Sequence, residues 1–87
     1  MNRVATYQIW HKRQMLPVDK LTMLALAQLC PPDGLTCHAS LLYLSAMLGA
    51  DKGTTHRSIR RLADAGHITR YQAHRRAPTE YTLHPTR

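Results

Sequence analysis

Apolar positions recur at helical spacing in three stretches of the chain, and at strand spacing in a fourth. In the first, Leu21, Leu24, Ala25 and Gln28 share a face, and Met23, Leu26, Ala27 and Cys30 widen it. Pro17 suits a first helical turn and Asp19 suits its positive end. Pro31–Pro32–Asp33–Gly34 then forces a stop and a turn, so the pattern predicts a helix over about residues 17–30. Leu35 to Cys37 reads as a short extended segment. Ser40 is a plausible N-cap for a helix running to Leu48, with Leu41, Leu44, Met47 and Leu48 toward the core and Gly49 as its C-terminal stop. Residues 50–53 read as a turn. Thr54 or Thr55 then caps a third helix reaching Ala65, which Gly66 ends in a left-handed conformation.

Beyond Gly66 the period shortens. Ile68 opens one strand, continued by Arg70–Tyr71–Gln72, and Thr79 to Leu83 forms its partner with Tyr81 and Leu83 on one side. Ala73 to Pro78 makes the loop, because Pro78 has no N–H for a ladder bond. The last four residues carry no pattern and are expected to fray. Residues 1–15 fit neither period and are read as an N-terminal arm or a short helix, ahead of a domain over 16–84. The lone Trp10 is a core plug, a dimer contact or a stacking residue.

Composition narrows the field. Eighty-seven residues make one domain with a modest core, and a second copy would help to stabilise it. The formal charge of +7 is unevenly spread. Residues 52–87 hold eight Lys or Arg against Asp64 and Glu80, a net +6, while residues 1–51 hold four against three, a net +1. A concentrated positive field attracts a polyanion, so nucleic acid is the leading partner, ahead of an anionic membrane surface or an acidic protein. Cys30 and Cys37 form no C-x-x-C pair and read as free thiols in a reducing cytoplasm, not as metal ligands. The apolar stretch from Leu41 to Ala50 is too short to cross a bilayer, and a cytoplasmic location is expected.

Three helices and a two-stranded hairpin give a mainly α chain with a small β-hairpin, the order of a winged helix-turn-helix. Leu44, Leu48, Ile59 and Leu62 would pack the second helix on the third and turn the start of the third outward. There, backbone N–H groups at Thr54 and Thr55 are candidates to hold a phosphate. Thr55, His56 and Arg60 are candidates to reach base edges, since arginine can take guanine O6 and N7 together. Arg57 and Arg61 are assigned to phosphate, a division the sequence alone does not fix. In the wing, Arg75 and Arg76 would enter a minor groove or follow the backbone, supported by Arg70.

The segment from Leu16 to Leu83 resembles the winged helix-turn-helix domains of replication and regulatory proteins of phages, plasmids and other bacterial mobile elements. The matching stretches are Leu21 to Ala27, Asp33–Gly34, Leu44 to Gly49, Thr54 to Ile68 and Tyr81 to Leu83. Such families place a small residue and then a branched apolar one at the start of the recognition helix. Thr54 fits, whereas Thr55 stands where Val or Ile is usual and leaves a hydroxyl to satisfy. The resemblance implies sequence-selective binding of double-stranded DNA, in transcriptional regulation or replication. The alternative is a protein-interaction module that binds a host protein, in the manner of a phage inhibitor.

Enzymatic readings find little support. The six histidines have no metal-ligand spacing, the few acids suggest no carboxylate pair, and there is no glycine-rich phosphate loop. No cofactor or metal is expected. Tyr7, Ile9 and Trp10 supply apolar surface that the core does not obviously need, so a homodimer through this segment is expected, with Trp10 folded onto its own chain as the alternative.

Overall fold

The computed structural model describes residues 1–86. Four helices, α1 (Arg3–Trp10), α2 (Pro17–Leu29), α3 (Leu41–Leu48) and α4 (Lys52–Asp64), accompany three strands, β1 (Thr36–Ala39), β2 (Ile68–Tyr71) and β3 (Thr79–Leu83). The strands form one antiparallel sheet in the order β1-β3-β2. The architecture is therefore mixed α/β, with a sheet larger than the expected hairpin, and it is consistent with a winged-helix-like arrangement. The hairpin itself lies as expected, Ile68 opposite Leu83 and Tyr71 opposite Glu80. The addition is β1: the extended segment after Gly34 pairs along β3 from Thr36↔Thr82 to Ala39↔Thr79. Its alternation places Cys37 and Ala39 inside and leaves Thr36 and His38 outside.

Local chemistry explains the ends of the helices. Ser40 Oγ accepts from the Tyr43 amide at 3.0 Å, and Gly49 takes the left-handed conformation with φ 65°. At the end of α4, Gly66 has φ 82°, and bonds from Gly66 N to Ala63 O and from His67 N to Leu62 O close a Schellman motif. The start of α4 differs from the expectation. Asp51 caps it, accepting from the Thr54 amide at 2.7 Å, so the helix begins at Lys52 and the turn from α3 shortens to Gly49–Asp51. A carboxylate is at least as good a cap as a hydroxyl and also complements the helix dipole.

Residues 1–15 take the short-helix form. Asn2 caps α1 by accepting from the Ala5 amide at 3.0 Å, and its Nδ2 donates to Gly34 O at 2.7 Å. This ties α1 to the turn after α2. Ala5 and Ile9 enter the common core with Met23, Leu26, Ala27, Leu44, Ile59, Leu62, Ile68, Tyr81 and Leu83. Ile9 is thus the plug; Trp10, 57% exposed, and Tyr7, 67% exposed, point outward. Two residues expected on core-facing stripes, Leu21 and Met47, are exposed as well. The chain end is firmer than expected: His84 N donates to His67 O at 2.8 Å and Pro85 is buried. Arg87, the last of the residues expected to fray, lies outside the described residues.

Candidate nucleic-acid interface

The geometry of α4 follows from its wheel. Thr55, Ser58, Ile59 and Leu62 form its buried side. Opposite them, Gly53, Arg57, Arg60 and Asp64 follow one another along a single exposed face, with His56 beside them. Ile59 and Leu62 anchor the helix in the core. Polar groups fix its rotation, because hydrogen bonds have directions that apolar contacts lack.

Two polar contacts do this. Toward α3, Ser45 Oγ donates to Thr55 Oγ1 at 3.0 Å, and Thr55 Oγ1 donates to Asp51 O at 3.0 Å. Thr55 is fully buried, so the structure removes it from the residues that reach bases. The Thr55 hydroxyl is satisfied by a serine on the preceding helix. Toward α2, Ser58 Oγ donates to Asp19 Oδ1 at 2.7 Å and lies 2.9 Å from Thr22 Oγ1. The same carboxylate receives Arg61, with Nη2 at 2.8 Å from Oδ1 and Nε at 3.1 Å from Oδ2. Asp19 is 6% exposed, and the Arg61 side chain 43%. The hydrogen bonds that Arg61 donates to Asp19 push the guanidinium pKa above its already high ordinary value. Arg61, expected to contact phosphate, is therefore committed to clamping α4 on α2. Asp19, expected only to complement a helix dipole, is the centre of that clamp. Residues 42 apart in sequence carry no local signal of such a pair.

The start of α4 offers less to an anion than expected. The Thr54 amide is taken by the Asp51 side chain and the Thr55 amide by Asp51 O at 3.1 Å. Hydrogen bonds from Thr54 hold the Asp51 carboxyl below its usual pKa, and the Arg57 charge adds to this. The cap is thus intact above the ordinary carboxylate range and weakens as pH falls through the lowered value. The phosphate role proposed for the amides of Thr54 and Thr55 does not fit this geometry. The Thr54 hydroxyl remains half-exposed beside Arg57, whose Nη2 lies 3.4 Å from it.

The wing carries its charge differently. Gln72 Nε2 donates to Ala77 O at 2.7 Å and Arg75 O at 3.2 Å, and so closes the β2–β3 loop on itself. Arg75 and Arg76 are exposed at its tip, over a cleft shared with Ser40 and Leu41 at the start of α3. Arg70 is exposed on β2, opposite Tyr81. His56, Arg57 and Arg60 thus form one cluster on α4 and Arg75 with Arg76 a second on the wing.

Elsewhere the chemistry is sparse. Cys30 and Cys37 are free, buried and hydrogen-bonded to each other; burial and the neighbouring thiol push the Cys37 thiol up to about 12. Among the described residues no His, Cys, Asp and Glu gather into a metal-binding group, and no helix is long and apolar enough to cross a membrane. No family model, curated protein or solved structure matches the chain.

Proposed function

We propose that the protein is a winged helix-turn-helix module that binds double-stranded DNA with sequence selectivity, with α4 as its recognition helix and the β2–β3 loop as its wing. One observation carries the reading. A helix rooted by a buried carboxylate and a buried hydroxyl pair presents His56, Arg57 and Arg60 on its opposite face. A rigid helix with a basic outer face suits a major groove, where arginine and histidine reach base edges. The three-residue turn from α3 and the hairpin that follows α4 agree with the same reading. Arg75 and Arg76 supply the phosphate or minor-groove contact, and Arg70 assists from the strand. A module that reads DNA in this way can act by occupying a site, which suits a transcriptional or replication regulator of a bacterial mobile element.

A selective reader of this size gains from symmetry, because two copies on two half-sites double the contact. The exposed row Val4, Tyr7 and Trp10 on α1 is the surface assigned to the second copy. Sedimentation of the protein alone and on DNA tests this, and a monomer in both states at micromolar concentration refutes it.

Selection of bound duplexes from a random-sequence pool tests the main reading. Enrichment of a common sequence, with affinity falling steeply as salt rises, is the expected result. Equal weak binding of all duplexes would remove the selectivity. Absence of binding, with one host protein retained in stoichiometric amount after nuclease treatment, would replace the DNA reading with the protein-partner reading.

A further inference from the structure

Arg57 folds back over its own helix. Its Nη1 lies 3.3 Å from where a Cβ on Gly53 would stand, and its Nη2 reaches Thr54 Oγ1 at 3.4 Å. The carboxylate of Asp51, on the same turn, attracts it. Nothing in the backbone demands glycine at 53: the glycines with positive φ are Gly49 and Gly66. An exposed glycine inside a helix costs stability relative to alanine. What the missing side chain leaves is a shallow seat, and the Arg57 guanidinium lies over it. Arg61 is held on Asp19. Arg60 has no hydrogen-bond or ion-pair partner among the described residues.

We propose that Arg57 is the sequence-discriminating arginine of α4, and that Gly53 is its positioning residue. This rests on the DNA reading of α4. It reverses the division that the sequence suggested, with Arg60 moving to the phosphate class. An arginine seated before contact has less rotamer freedom to lose when it forms paired hydrogen bonds to a guanine edge. A free arginine is better suited to phosphate, where its exact direction matters less.

The test compares a duplex selected by the parent protein with a scrambled duplex of the same composition. Arg57→Ala is expected to lower the ratio of the two affinities by about tenfold or more. Gly53→Ala is expected to lower the ratio by part of that amount while leaving the melting temperature unchanged or higher. Added to Arg57→Ala, it is expected to cause no further loss. Arg60→Ala is expected to weaken both duplexes alike. An equal loss on both duplexes for Arg57→Ala overturns the assignment of Arg57. An unchanged ratio for Gly53→Ala, or a full further loss in the Arg57→Ala background, overturns the positioning role. A parent protein that binds DNA without preference overturns the whole inference but leaves DNA binding standing, whereas a parent that binds no DNA removes the reading beneath it.

Discussion

The α2–α4 seam and the β2–β3 loop both carry arginine, but they hold it in opposite ways. At the seam, Arg61 lies against a buried carboxylate that also receives Ser58 from the same helix. At the loop, Arg75 and Arg76 project from a turn that Gln72 closes through backbone carbonyls, with no acid among their hydrogen-bond partners within the described residues. Positive charge is therefore no guide to role. The seam uses it to fix the angle at which α4 meets the core. The loop leaves it available to a partner. Between these extremes lies the outer face of α4, where Arg57 is lightly seated and Arg60 has no partner among the described residues.

The contrast can be broken most forcefully from the seam side. Leu62→Ala removes a fully buried side chain beside the polar network and should cost about 2–5 kcal/mol by chemical denaturation. Asp19→Ala should cost about 1–3 kcal/mol, because Ser58 then keeps a buried hydroxyl without its acceptor and Arg61 loses its ion pair. DNA affinity should fall with it as α4 loses its fixed angle. A variant as stable as the parent would show that the clamp contributes nothing net. Next in size is the α3–α4 contact. Thr55→Val or Ser45→Ala alone should each cost about 1 kcal/mol, whereas the two together should cost much less, since both hydroxyls then leave. Additive losses in that double-mutant cycle would contradict the proposed pairing. Smallest in stability is the wing: Arg75→Ala with Arg76→Ala should change folding by less than about 0.5 kcal/mol. If both arginines meet phosphates, the same variant should reduce the slope of log affinity against log salt by about 1.8. An unchanged slope would take the wing out of the interface.

Features set by neighbouring residues were legible in the sequence. Ser40, Gly49 and Gly66 act within one turn of where they stand, and the structure uses each as their chemistry suggests. Legibility fell where several residues could do one job. Asp51, Thr54 and Thr55 are all competent caps, and only the fold decides that the carboxylate bonds to the amide while Thr55 turns to Ser45. It failed where partners are distant. β1 has four residues and depends on β3, forty or more positions away, and the Asp19–Arg61 pair spans 42. For α1, Tyr7, Ile9 and Trp10 read together as apolar surface for a partner, yet Ile9, with Ala5, packs inward, and Tyr7 and Trp10 stay exposed. The outward set His56, Arg57 and Arg60 was readable from helical spacing; the removal of Thr55 and Arg61 from that set was not.

The central claim is that α4 is anchored by one face and reads DNA with the other. The most direct measurement is a paired one on the variant His56→Ala, Arg57→Ala, Arg60→Ala: thermal unfolding, and titration with a duplex selected by the parent protein. These side chains are exposed, so the variant should unfold close to the parent temperature. Its affinity for the selected duplex should fall by about a hundredfold or more, with a shallower salt dependence. A folded variant that binds the selected duplex with parental affinity and parental salt slope would contradict the claim.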